Sequence, residues 1–141
     1  VPEVKPPPPV PDGPPLPASW ALHPIAGGSQ VAVVEGPGVV LAVTLMCRQG
    51  MPVAALALRT PPPEGPMVLS LAGRAGRAAA PLTPGGGPVW LADLRNPALA
   101  RLLAGDEPGL ELRINDGLQG RLSLDGSSRA VRDALGGCLP F

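Results

Sequence analysis

The chain has no tyrosine, and its only aromatic residues are Trp20, Trp90 and Phe141. Carbohydrate-stacking platforms and single-stranded nucleic-acid surfaces both need several exposed rings, so neither is expected. The two tryptophans read instead as bulk for a core otherwise built from Ala, Val and Leu. Charge is equally scarce: charged residues make up 16% of the chain and the formal net charge is zero. That balance leaves no electrostatic footprint for nucleic acid or for an anionic membrane surface. The longest apolar run, residues 39–46, falls far short of the roughly 20 residues that cross a bilayer, so a soluble chain without a transmembrane segment is expected.

The catalytic inventory is thin. There is one histidine, His23, and the only lysine, Lys5, lies in the proline-rich start of the chain. His23 could serve Ser19 or Ser29 as a general base, but its place beside Pro24 fits an ordinary strand end better. One histidine and two distant cysteines match no zinc spacing, so no metal and no cofactor is expected. Asp106 and Glu107 read as a solvated loop. The glycine-rich stretch 85–88 lacks the strand–turn–helix setting and the lysine of a phosphate loop, and reads as a linker. The expectation is therefore a protein that is not an enzyme.

What the chain has in abundance is proline. Nine of its 22 prolines lie in VPEVKPPPPVPDGPPLPASW, where each fixes φ and removes an amide donor. Residues 1–19 read as an extended leader, a tether reaching about 3 Å per residue. A ligand for a proline-recognising domain, or a strap along the chain's own sheet, are the alternatives. The start at Val1 reads as a processing site behind a removed signal peptide, although a trimmed start has the same appearance.

From residue 20 to 141 a single β-rich domain is expected. Short apolar runs separated by Gly and Pro have the spacing of an antiparallel β-sandwich or a barrel-like sheet rather than of alternating βαβ units. Strands are expected at 20–23, 30–35, 39–47, 53–59, 67–72, 89–94, 110–114 and 118–124. The last two form a hairpin: Leu110, Leu112 and Ile114 alternate with Glu111 and Arg113, Asn115-Asp116-Gly117 supplies the turn, and Leu118, Leu122 and Leu124 alternate with polar neighbours. The run 39–47 is apolar almost throughout, as in a central strand covered on both sides.

Two short helices interrupt the strands. In the first, Asn96 caps, Pro97 opens, Leu99, Leu102 and Leu103 form the apolar face, and Gly105 stops the helix in a left-handed conformation. In the C-terminal one, Asp125 or Ser127 caps, Ala130, Val131, Ala134 and Leu135 face inward, and Arg129, Arg132 and Asp133 face water. Residues 60–66 and 72–88 read as loops. Within the second, Arg74 and Arg77 are candidate partner-binding residues, able to seat an acidic group or a phosphate by bidentate hydrogen bonds.

Cys47 shares the phase of Val43 and Leu45, and Cys138 continues the apolar side of the last helix. A bridge between them would stabilise the fold by about 4–5 kcal/mol in the chain-entropy model and would place the protein outside the cytoplasm. As free thiols, Cys47 would be a buried core residue and Cys138 an exposed reactive one.

Taken together, the strand that opens on Trp20, VVLAVTLMC at 39–47, WLADLRNPALARLLAGDEPGLELRIND at 90–116 and RLSLDGSSRAVRDALGGC at 121–138 resemble small proteobacterial periplasmic domains. The pattern is similar to the invasion-associated locus B type and to the type VI secretion accessory family VasI. The resemblance implies a disulfide-bonded, β-sandwich-like envelope domain with no catalytic residues. The function expected is therefore non-catalytic binding of an envelope or secreted protein, in the periplasm or outside the cell. The sheet edges and the stretch from Arg74 to residue 88 are the candidate surfaces. An inhibitor or small-ligand-binding module is the alternative, and an enzyme using His23 is a third.

Overall fold

The structure, a computed structural model, describes residues 19–25, 30–60 and 65–138. The expectations for the proline-rich leader up to residue 18, for Ser29, for positions 61–64 of the loop at 60–66 and for Phe141 lie outside the described residues. Among the described residues nine strands, all paired antiparallel, form one sheet in the order β1-β2-β3-β4-β7-β6-β5-β8-β9. They are β1 Ala21–Pro24, β2 Gln30–Glu35, β3 Val40–Arg48, β4 Met51–Leu58, β5 Met67–Gly73, β6 Gly76–Gly86, β7 Val89–Asp93, β8 Gly109–Ile114 and β9 Gly117–Ser123. Helix α1, Pro97–Leu103, carries the chain from β7 past β6 and β5 to β8, and α2, Ser127–Leu135, follows β9.

Local chemistry explains the hairpins. Asn115 and Asp116 both have positive φ, 50° and 68°, which is the two-residue turn that matches the twist of adjoining strands. Gln49 and Gly50 make the same kind of turn between β3 and β4, with φ of 53° and 79°. The start of α1 is as expected: Asn96 Oδ1 accepts from the Ala98 amide at 3.1 Å, and Pro97 is the first helical residue.

One face of the sheet is the core face. Ala32 and Val34 of β2, Val43 and Leu45 of β3, Leu56 of β4, Leu69 and Leu71 of β5, and Leu110 and Leu112 of β8 all point into it and are buried. Both helices pack on this face, α1 against β6 and β5 and α2 against β3, β2 and β1. The sheet curls around them far enough for Trp20, just ahead of β1, to bond residues at the end of β9, without the ladder closing. Among the described residues no second sheet completes a sandwich, so the barrel-like alternative describes the molecule. Leu99 and Leu103 of α1 fill the interior, where the space left among them and the strand side chains is about 10 Å³. A water molecule needs about that much, so the centre is packed rather than hollow.

Several expectations are corrected. The stretch 72–88 is not a loop: β5 runs through Gly73, a two-residue turn follows, and 76–86 is the longest strand of the sheet. Ala78, Ala80 and Leu82 alternate inward along it, a signal hidden by Pro81 and Pro84. Pro81 lies where the ladder to β7 has ended, beside Leu82↔Ala92, a setting that proline tolerates. Leu118 faces outward and is 56% exposed, because a register shift between Leu112↔Gly120 and Arg113↔Leu118 reverses its phase. In α2, Gly126 is the N-cap, with φ of 80° and no side-chain cap; Ser127 is the first helical residue and wholly buried. Helix α1 ends through a bond from the Gly105 amide to the Leu102 carbonyl, with Gly105 outside the left-handed region. Strand β3 is central, but its cover is unequal. Helix α2 lies on the Cys47 side, while on the other side Thr44 and Met46 are only half-buried.

Candidate binding surface

Behind the core face, the outer side of β6, β5, β8 and β9 carries the polar chemistry. Cross-strand register puts Arg77, Ala72, Glu111 and Arg121 in one row, one residue from each strand in turn. The next row is Ala79, Ser70, Arg113 and Leu118. Two shallow depressions of about 510 Å³ each meet at Ala72 and Glu111. Their floor is low because Ala72, Gly73, Gly109 and Ala79 project little or nothing. Arg74 and Arg121 rim one depression, and Arg77 and Arg113 the other.

The charges around this groove are unequally occupied. Glu111 pairs with Arg113, its Oε1 accepting from Nε at 2.8 Å, and Arg113 Nη1 also donates to the Asp116 carbonyl at 3.0 Å. Glu107 is not a free loop carboxylate. Its Oε1 accepts from the Arg74 amide and its Oε2 from the Ala75 amide, so it ties the β5–β6 turn to the segment that follows α1. Arg74, Arg77 and Arg121 are exposed and make no ion pair among the described residues. The groove therefore presents three uncommitted guanidinium groups over a floor of small side chains.

Two of the three, Arg74 and Arg77, are residues that the sequence reads as loop; here they stand at the hairpin turn and on β6. Arg113 and Arg121 were legible only as members of the wet face of the last hairpin. Their convergence with Arg77 depends on β5 pairing with both β6 and β8, which no local pattern announces.

Sheet edges are poor candidates. Along β9, the Gln119 side chain accepts from the Val39 amide at 3.0 Å, Gly120 abuts Pro37, and the Ser123 carbonyl accepts from Trp20 Nε1 at 2.8 Å. The opposite edge, β1, is four residues long and ends in Pro24. Both arrangements block the addition of another strand.

His23 lies exposed on β1 opposite Val31, with no side-chain hydrogen bond to Ser19 among the described residues. Among the described residues no cluster of three or more His, Cys, Asp or Glu could hold a metal ion. Cys47 and Cys138 are joined in a disulfide with a Cα–Cα distance of 5.9 Å across 91 residues of sequence. The bridge ties the turn after α2 to β3, and the bond from the Cys138 amide to the Leu135 carbonyl continues the helical path that delivers it. No helix among the described residues is long and apolar enough to cross a membrane.

Neither a protein-family model, nor a curated protein, nor a solved structure matches this chain.

Proposed function

We propose that the chain is a non-catalytic, periplasmic or secreted domain that binds a protein of the bacterial cell envelope through the outer face of β6, β5, β8 and β9. The observation that carries this reading is the set of uncommitted arginines, Arg74, Arg77 and Arg121, over a floor of small residues. A disulfide closing most of the domain supports an oxidising compartment. The likeness to the invasion-associated locus B and VasI domains belongs to the same proposal. A small-ligand module built on the sheet interior finds little support, since α1 fills that space. An inhibitor acting through an inserted loop loses its loop, because 76–86 is strand.

The test is site-specific photo-crosslinking in the native host. A crosslinking residue at Ala79, exposed on the groove row, is expected to give a discrete adduct with an envelope protein. The same residue at Arg129, on the wet side of α2, serves as the reference position. Equal labelling from both positions, or none from Ala79, would overturn the reading.

A further inference from the structure

Resting on that reading, we infer that the groove takes an extended acidic segment of a partner, laid across the strands, with two carboxylates four residues apart. Arg77 and Arg121 stand at the two ends of one cross-strand row, separated by Ala72 and Glu111. Three strand intervals of about 4.8 Å put their Cα atoms about 14 Å apart. An extended peptide advances about 3.4 Å per residue, so side chains at i and i+4 point to one side and lie about 14 Å apart. The two spacings match, and each guanidinium can take one carboxylate in a bidentate pair.

The middle of the row adds discrimination. Residue i+2 of such a peptide faces the site between Ala72 and Glu111. Glu111 is held there by Arg113, so a third carboxylate at i+2 meets a like charge, whereas a small neutral residue fits the low floor. Leu118, 56% exposed beside Arg121 at the end of the groove, offers an apolar contact to a residue flanking the acidic pair. Arg74 at the hairpin turn supplies a further cation on the same rim. A single phosphate is a poorer occupant, because the flanking guanidiniums are spread along a row instead of converging on a point. A nucleic-acid strand finds no ring to stack on in the groove.

The experiment uses the full chain and fluorescent nonapeptides of Ala and Gly carrying two Asp at i and i+2, i and i+4, or i and i+6, with Asp-to-Asn and triple-Asp (i, i+2, i+4) controls. Anisotropy titrations at low and physiological salt read the affinities. The i,i+4 peptide is expected to bind at least tenfold more tightly than its Asn control and than the other two spacings. The triple-Asp peptide is expected to be weaker than the i,i+4 peptide, and the binding is expected to weaken with salt. Arg77→Glu with Arg121→Glu, both exposed positions whose folding is checked by thermal melting, is expected to abolish the preference. Equal binding of all spacings, or an unchanged preference in the double variant, overturns the inference, as does tighter binding of a single-stranded oligonucleotide than of any peptide. Failure here is distinguishable from failure of the broader reading. An Ala79 adduct that persists in the double variant leaves envelope binding standing and removes only the acidic-segment ligand.

Discussion

Trp20 Nε1 donates to the Ser123 carbonyl at 2.8 Å, and the Trp20 amide donates to the Asp125 carbonyl at 2.9 Å. One residue ahead of β1 thereby fastens the end of β9, 103 positions later in the chain. The ladder never closes the curl of the sheet; this tryptophan holds its first and last strands together. Its ring is buried, so the two bonds form where water competes little for them.

Trp20→Phe keeps most of the ring and removes one bond, leaving the Ser123 carbonyl short of a partner. A loss of about 1–2 kcal/mol is expected, and Trp20→Ala is expected to lose about 3–5 kcal/mol. Trp90 provides the contrast, since its buried Nε1 has no partner among the described residues. Trp90→Phe is therefore expected to cost less than Trp20→Phe. Urea midpoints of the three variants decide the order.

The disulfide sets the second prediction. Intact protein analysed without reductant is expected to show no alkylatable thiol and a mass two hydrogens below that of the reduced chain. Replacing both cysteines by alanine is expected to remove about 4–5 kcal/mol, in the chain-entropy model, for a loop of this length. A double variant with the wild-type urea midpoint would show that the bridge contributes little.

Glu107 holds the β5–β6 turn through two amides. Glu107→Ala is expected to accelerate hydrogen exchange at the Arg74 and Ala75 amides, while global stability falls by only about 1 kcal/mol because the turn is exposed. Gly73→Ala is expected to act similarly, since its new Cβ would meet the Glu107 carboxylate and the Leu110 side chain. Unchanged exchange at both amides would show that the tie is not populated in solution.

Gln49 occupies a positive-φ position in a turn that favours Asn-Gly. Gln49→Asn is expected to stabilise the fold by about 0.5 kcal/mol, because Asn tolerates that backbone region better. The opposite result is expected at Gly120, whose φ is 138° and where an added Cβ would lie 2.9 Å from Pro37 Cβ. Gly120→Ala is expected to cost about 1–3 kcal/mol. Thermal melting of the two variants tests both signs.

Arg95 donates to both carboxylate oxygens of Asp93, the shortest contact being 2.7 Å, and holds that carboxyl below the ordinary aspartate range. A carboxyl with a lowered folded pKa stabilises the fold above its unfolded value of about 3.9, and that stability is lost as pH falls through the folded value. The pair is largely open to solvent, so the effect is small. Asp93→Asn is expected to be slightly less stable at neutral pH and to converge with the wild type in strong acid. Arg95→Ala is expected to move the Asp93 midpoint upward in an NMR titration.

The hairpin at Asn115-Asp116 and the Asn96-Pro97 helix start were legible because their signals are local: a turn needs particular φ values and a helix start needs a cap, and few residues supply either. Strand β6 was hidden because prolines and glycines speak for a loop, while the ladders that make it a strand come from β5 and β7. Leu118 misled for a related reason, since one register shift reverses the phase of the residues beyond it and no alternation pattern records that shift.

By itself, then, the sequence determined a β-rich domain with two short helices, an apolar core of small aliphatic residues, and a late cysteine in phase with an early one, all consequences of periodicity and backbone preference within a few residues. Tertiary structure alone decided that the sheet is single and curled, that Glu107 is spent on a hairpin turn, and that Arg77 and Arg121 stand at opposite ends of one row. Those relationships depend on which strands neighbour one another, and strand neighbours are chosen by the packing of the whole core rather than by any stretch of chain.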